Sequence, residues 1–103
     1  MYTSMNSKNS ILQIIKEHIE LFDSFQHVYL FGSAIDPNIA HSDIDILIIY
    51  AKYSDNIENT LRVIKDELGK VSGLLIDLTA LSIQEERSVA FLERIKPNYI
   101  IIK

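Results

Sequence analysis

Cysteine and tryptophan are absent from the sequence, and its 103 residues include only three glycines and two prolines. Without cysteine the chain has no disulfide bonds. No stretch approaches the roughly 18 consecutive apolar residues that a membrane span needs. Residues 1–10 are polar and contain no apolar signal-peptide segment. These absences predict a cytoplasmic protein that does not enter a membrane.

An excess of positive charge is also lacking. Ten lysines and arginines stand against 14 aspartates and glutamates, which gives a formal net charge of −4. The loose basic groupings alternate with acids and are interpreted as solvated helix faces; they are Lys65 with Lys70, and Arg87 with Arg94 and Lys96. Nucleic-acid binding normally depends on lysines and arginines that neutralise phosphates. A nucleic-acid strand is therefore not expected to bind unaided.

A length of 103 residues leaves room for one core, so we expect one domain over residues 1–103, with residues 1–9 flexible. Ser10 is placed to cap the first helix. Capping-box patterns, in which a glutamate follows the cap residue by three positions, begin at Asp55 and Ser82, and Gly69 is predicted to end the helix that Asp55 begins. In chain order the predicted elements are a helix over 11–22, strands over 27–31 and 43–50, a helix over 55–69, a strand over 74–81, a helix over 82–95 and a strand over 99–102.

This order of elements predicts an α/β (α+β) fold in which helices pack on a small mixed β-sheet. Strand 43–50 carries apolar residues on both faces after Asp45, so we expect it to be central and covered on both sides. The short connection between the first two strands suits an antiparallel pair.

Three acidic residues are candidates for a metal site. Asp43 and Asp45 are two residues apart on one strand, so their side chains point to the same face. Asp77 is the only acid in the next strand, and it can join the other two if that strand lies beside strand 43–50. Each acid alone is better explained by a turn or an exposed strand. Like charges about 5 Å apart repel by about 3 kcal/mol at an effective dielectric of about 20. Magnesium prefers hard oxygen ligands and would relieve this repulsion, so the three acids, taken together with the Gly-Ser pair that follows the first strand, favour a site for it.

A Gly-Ser pair, Gly32 and Ser33, directly follows the first strand. Glycine lets the backbone approach a phosphate closely, and the following amides, if they open a helical turn, point at the anion. The pair is a weak signal alone, and its position before the Asp-x-Asp strand gives it value. We expect the three carboxylates to lie within about 4–8 Å of one another, with Gly32 and Ser33 bordering the same cleft.

The combined pattern resembles the nucleotidyltransferase superfamily related to DNA polymerase beta. It consists of Phe-Gly-Ser at 31–33, nine intervening residues, Asp-Ile-Asp at 43–45 and Asp77 in a later strand, and the resemblance extends over residues 28–81. It implies that Gly32 and Ser33 hold the triphosphate of a nucleoside triphosphate. It also implies that Asp43, Asp45 and Asp77 are catalytic and bind two magnesium ions.

The short chain is similar to the minimal nucleotidyltransferases (MNT). These proteins are often encoded beside HEPN-domain ribonuclease toxins and act as antitoxins by adenylylating them. The resemblance implies transfer of AMP, or of another nucleotide, from a nucleoside triphosphate such as ATP to a hydroxyl on a partner protein. The implied partner is a HEPN-type toxin.

The loop after Ser33 departs from the family pattern. Residues 34–38 read Ala-Ile-Asp-Pro-Asn, without the Arg-Gly pair that the family commonly carries there. One loop contact to the nucleotide is therefore missing. Two alternatives stay open: an antitoxin or binding module that keeps the fold and acts by contact alone, and a small-molecule nucleotidyltransferase of the antibiotic-modifying type. The sequence leaves the base, the acceptor and the oligomeric state undefined.

Overall fold

The computed structural model describes residues 7–32 and 43–103. None of the helices in these two ranges is both long and apolar enough to cross a lipid bilayer. The helices are α1 (Ser7–Glu17), a 3-10 helix (Ile19–Phe22), α2 (Asp55–Ser72), α3 (Ile83–Val89) and α4 (Phe91–Ile95). The strands are β1 (His27–Phe31), β2 (Asp43–Tyr50), β3 (Leu75–Ser82) and β4 (Tyr99–Ile101).

The four strands form one mixed sheet in the order β3-β2-β1-β4. Strand β1 runs antiparallel to both β2 and β4, whereas β2 and β3 are parallel and joined by the α2 crossover. The predicted α/β architecture, a small mixed sheet packed with helices, is confirmed. The expected antiparallel pairing of the first two strands is confirmed as well.

Strand β2 is buried on both faces, as its apolar pattern predicts. Ile44, Ile46 and Ile48 point into a core shared with α1 and α2. Leu47 and Ile49 point to the opposite face, where a smaller cluster includes side chains of α3 and α4. Because side chains alternate along a strand, Asp43 and Asp45 share the second face. On this face of β2 the first two side chains are therefore carboxylates, and the next two are apolar.

The first helix differs from its prediction at both ends. It begins at Ser7, three residues before the expected cap Ser10, because the apolar stripe marks only the turns that pack on the core. After Glu17 the chain tightens into the 3-10 helix, which buries Phe22. Residues 1–6 lie outside the described ranges, and residues 7–9 of the segment expected to be flexible form the first turn of α1.

The prediction that α2 ends at Gly69 is wrong. The helix continues to Ser72 and ends at Gly73, which has a φ of 72° and donates its amide hydrogen to the Gly69 carbonyl. This left-handed conformation is what a C-terminal cap requires, and glycine adopts it without strain. Asp55 is also not the N-terminal cap, since Ser54 occupies that position.

The predicted helix over 82–95 is divided in two at Ala90. Its capping box is confirmed: Ser82 Oγ accepts the Glu85 amide hydrogen at 3.0 Å, and Glu85 Oε1 accepts that of Ser82 at 2.8 Å. Ala90 then has a φ of 52°, which ends α3. The Glu86 carboxylate accepts the Leu92 amide hydrogen at 3.0 Å and so begins α4. The break brings Phe91 edge-on to Phe31, with ring centroids 5.4 Å apart.

Candidate active site

The carboxylates of Asp43, Asp45 and Asp77 meet at one end of the sheet. Each offers one oxygen such that all three oxygens lie within 4.8 Å of one another. Asp43 and Asp45 are half-buried and Asp77 is exposed. The spacing expected from strand alternation is therefore present. The roles of these residues as metal ligands and catalytic groups stay predictions.

Strand register explains why the three acids converge. In the parallel pair, Asp45 lies directly beside Asp77, and Asp43 lies beside Leu75. Directly paired residues on neighbouring strands point to the same face of a sheet. Since Asp43 and Asp45 also share a face, all three carboxylates project from it. The parallel crossover through α2 is what aligns Asp77 with the second acid of β2.

Gly32 borders this acidic cluster, as expected. It follows Phe31, which pairs with Asp45 across the antiparallel β1–β2 ladder. The Gly32 backbone has a φ of 78°, and a β-carbon added there would collide with the Asp45 carboxylate oxygen and lie 3.2 Å from Asp45 Cγ. Glycine is therefore required at position 32 for two reasons: the backbone has a positive φ, and Asp45 occupies the space that a side chain would need. The other predicted nucleotide-binding residue, Ser33, lies outside the described residues.

The surroundings of Asp45 raise the pKa of its carboxyl group. Burial raises its pKa to about 6, helped by repulsion from Asp43 and then Asp77, and by a hydrogen bond with Asp77 that favours the protonated form. Its next neighbour on the same face, Leu47, is fully buried, so one side of Asp45 meets apolar surface. Without a cation, repulsion among the negative charges of the cluster reduces the stability of the fold.

The pKa of Asp45 predicts how the stability of the metal-free protein depends on pH. An aspartate in an unfolded chain has a pKa of about 3.9. The folded state therefore binds more protons than the unfolded state between that value and about 6, so the contribution of Asp45 to stability falls as pH rises through this window. We expect wild type to lose about 1–2 kcal/mol relative to Asp45→Asn between pH 4 and pH 7, after allowance for solvent screening.

Urea denaturation in the presence of a chelator would measure this difference at several pH values. The Asp66→Asn variant provides a control, because Asp66 is an exposed α2 residue outside the site. Parallel pH profiles for wild type and Asp45→Asn would contradict the expected coupling of Asp45 to its neighbours.

The three carboxylates fit a divalent cation by their chemistry. They provide hard oxygen donors that converge from two strands, and the pKa of the middle one, Asp45, is raised first by burial and then by the negative charge of the other two. Magnesium favours such donors and is commonly bound by one or two carboxylates together with substrate phosphates. The arrangement suits a metal-nucleotide complex, which brings its own oxygen ligands.

One side chain near the acids is missed by the sequence interpretation. Lys65 of α2 lines a cleft of about 420 Å³ together with Asp43 and Asp77. This α2–β3 cleft is lined by Asp43, Lys65, Gly69, Leu74, Leu75, Ile76 and Asp77. The predicted solvated face does hold for Lys70, which forms an exposed ion pair with Asp66 at 3.8 Å. Charge spacing along α2 could not distinguish the two lysines, because only tertiary packing brings Lys65 into the cleft that Asp43 and Asp77 also line.

Comparison with protein families covers nearly the whole chain. The family described as polymerase beta, nucleotidyltransferase, matches residues 9–102. The chain therefore belongs to this nucleotidyltransferase family. The resemblance drawn from the Gly-Ser pair and the three acids is confirmed at the level of the family.

Solved structures share the fold. A Sulfolobus solfataricus protein assigned as a nucleotidyltransferase superposes with a TM-score of 0.56 and 21% identity, over 98% of this chain and 89% of that chain. A chain from the Shewanella oneidensis complex of a tri-AMPylated HEPN toxin with its MNT antitoxin superposes with a TM-score of 0.54 and 22% identity, over 94% of this chain and 69% of that chain. Another Shewanella oneidensis structure superposes with a TM-score of 0.53 and 18% identity, over 92% of this chain and 71% of that chain. At these identities the likeness establishes the fold. No curated relative matches the chain by sequence.

Proposed function

We propose that this protein transfers a nucleotidyl group, AMP from ATP, to a hydroxyl on a partner protein. The observation that carries the proposal is the group of three carboxylates within 4.8 Å of one another, beside Gly32, in a chain of the nucleotidyltransferase family. Family membership supports a transferase in general. The clustered acids support metal dependence, and the fold shared with an MNT antitoxin supports a protein acceptor.

In this proposal Asp43, Asp45 and Asp77 hold magnesium, with two ions expected. When bound, magnesium neutralises the triphosphate and lowers the pKa of the attacking hydroxyl. Gly32 contacts the β- and γ-phosphates through its backbone in this proposal, while Asp45 occupies the space where a side chain would lie. Ser33 stays a predicted phosphate contact. Asp77, the most exposed of the three acids, accepts the hydroxyl proton in this proposal.

The reaction then balances as a single displacement. The acceptor oxygen forms a bond to the α-phosphorus, and the bond from that phosphorus to the oxygen bridging to the β-phosphate breaks. Pyrophosphate leaves with the bonding electrons, and the hydroxyl proton passes to Asp77 or to water. The protein contributes mainly by holding the two substrates in line, because phosphoryl chemistry depends on positioning and charge stabilisation.

The proposed partner is a HEPN-type toxin, and the proposed biological role is that of its antitoxin. The support is the shared fold with the Shewanella oneidensis complex, in which the HEPN toxin is tri-AMPylated and bound to an MNT antitoxin.

Incubation with a candidate HEPN-type partner and magnesium-ATP tests this function. Intact-mass spectrometry should show the partner gaining one or more AMP units, whereas the Asp43→Asn variant should label none. Asp66→Asn should label as wild type does, because Asp66 lies on the exposed face of α2. Free small hydroxyl compounds should accept little AMP, because nothing fixes their orientation.

Two results would replace the proposal by one of its alternatives. A tight complex that shows no mass shift and survives Asp43→Asn would favour an antitoxin that acts by contact alone, in line with the absent Arg-Gly pair at residues 34–38. Efficient AMP transfer to a free aminoglycoside without any partner would favour the small-molecule enzyme.

A further inference from the structure

The α2–β3 cleft adjoins the acidic cluster on the side away from Gly32. In the sheet order, β2 stands between β1, which leads into Gly32, and β3, which carries Asp77. Two strand spacings, about 10 Å, therefore separate the Gly32 strand from β3. Asp45 is the acid that Gly32 closely approaches, whereas Asp43 and Asp77 line the cleft. The cluster thus has two distinct sides.

An in-line displacement assigns different substrates to these two sides. The attacking oxygen and the leaving oxygen lie on opposite sides of the phosphorus. If the triphosphate is bound beside Gly32, the acceptor approaches from the side of Asp77. The described residues offer a cavity there, and it is lined by both charged and apolar side chains.

Resting on the proposed function, we propose that the α2–β3 cleft is the acceptor subsite and that Lys65 selects acceptors with a carboxylate beside the hydroxyl. The acceptor segment places its hydroxyl at Asp77 and an acidic side chain at Lys65. Lys65 is a positioning and specificity residue, since it binds the acceptor away from the reacting atoms. The bond changes are those of the displacement described above.

The charge on Lys65 is available for such a contact. Within residues 7–32 and 43–103, the ion pairs are Lys70–Asp66 and Lys96–Glu93, and neither includes Lys65. Lysine is a compact cation on a flexible stem, which suits capture of a carboxylate at an open cleft. A basic acceptor segment would instead meet the ammonium group of Lys65 and be repelled.

The apolar lining fits a peptide segment better than a small polar acceptor. Leu75 is 73% exposed although it is a leucine at the first position of an edge strand. It points to the same face of the sheet as Asp77, whereas Ile76 points into the core with α2 and is only 6% exposed. Leu75 and the half-buried Leu74 therefore form the apolar wall of the cleft. Covering this wall contributes roughly 25 cal/mol for each Å² removed from water, so a hydroxyl carried on an apolar segment is favoured over a free polyol.

Matched peptides test the subsite directly. N-acetyl-Glu-Tyr-Leu-amide and N-acetyl-Lys-Tyr-Leu-amide differ only in the residue before the tyrosine, which is acidic in the first and basic in the second. NMR titration of the protein should show shifts at the Leu75 and Ile76 amides, with about fivefold tighter binding of the acidic peptide. Lys65→Glu should reverse this preference, and Lys65→Met should abolish it. Lys70→Met, which changes an exposed lysine on the same helix, should retain the wild-type preference.

Calorimetry with magnesium-ATP separates this inference from the proposed function. Wild type, Lys65→Met and Lys70→Met are expected to bind magnesium-ATP within about twofold of one another, since a twofold change is only about 0.4 kcal/mol. If Lys65→Met alone weakens that binding strongly, Lys65 serves the triphosphate and the inference is wrong. It is also wrong if the peptide preference ignores Lys65 or the shifts map elsewhere. Failure of wild type to bind magnesium-ATP would overturn the proposed function, while the peptide titration would still decide on the cleft.

Discussion

Replacing Asp45 with asparagine should weaken magnesium-ATP binding by about 100-fold or more, because even indirect partners of metal ligands contribute 10–100-fold to affinity. The same change should leave the metal-free protein as stable as wild type at neutral pH, or more stable. Asparagine keeps the size of the side chain and removes the carboxylate. Burial and repulsion from Asp43 and Asp77 raise the pKa of that carboxyl group to about 6, so its charge costs free energy at neutral pH. A functional ligand and a structural residue therefore give opposite results here.

Two measurements on the same samples distinguish these roles. Isothermal titration gives the magnesium-ATP affinity, and urea denaturation with a chelator present gives the free energy of unfolding. Asp66→Asn is the matched control, since it makes the same chemical change at an exposed α2 position. A loss of more than about 1 kcal/mol of unfolding free energy in metal-free Asp45→Asn would assign Asp45 a structural role, because surface substitutions usually stay within about 0.5 kcal/mol.

The sequence predicted the part of the fold that positions the acids. The bounds of β1 and β2 follow from short β-rich runs, one of them ended by Gly32, and the structure has the same bounds. The alternation of Asp43 and Asp45 along β2 is a property of any strand, so their shared face needed no knowledge of tertiary structure. What the sequence left conditional was whether the strand with Asp77 lies next to β2.

The pairing of β2 with β3 required the tertiary structure. The α2 crossover makes the pair parallel and aligns Asp45 with Asp77, although a one-residue slip would have turned Asp77 to the other face. Register of this kind depends on packing of α2 against the sheet, through residues such as Ile64 and Leu68. Local patterns carry no information about it.

Other features were missed because the local sequence pattern was compatible with more than one structure. Gly69 and Gly73 are both plausible helix ends, and the positive φ of Gly73 decides between them. The break at Ala90 depends on the Glu86 carboxylate, which binds the Leu92 amide, and on contact between Phe91 and Phe31. The place of Lys65 in the cleft that Asp43 and Asp77 also line depends on the crossover helix lying against β3.

The tight approach of Gly32 to Asp45 leads to a second large effect. Gly32→Ala should destabilise the protein and also weaken magnesium-ATP binding by at least about 10-fold, because displaced supports of metal ligands reduce affinity by 10–100-fold. The new methyl group would collide with the Asp45 carboxylate oxygen, so Asp45 must rotate away from its position in the cluster. Backbone strain adds to this, since a non-glycine residue in the left-handed region costs about 1–2 kcal/mol.

Gly73 provides a control that separates strain from collision. Its φ of 72° is close to the 78° of Gly32, yet a β-carbon there meets no atom within 4 Å. Gly73→Ala should therefore lose about 1–2 kcal/mol of unfolding free energy through strain alone, with unchanged magnesium-ATP affinity. Gly32→Ala should lose more stability than this and lose affinity as well. Equal affinity losses in both variants would trace the effect to general destabilisation, and unchanged affinity in Gly32→Ala would show that the contact with Asp45 does not position the cluster for nucleotide.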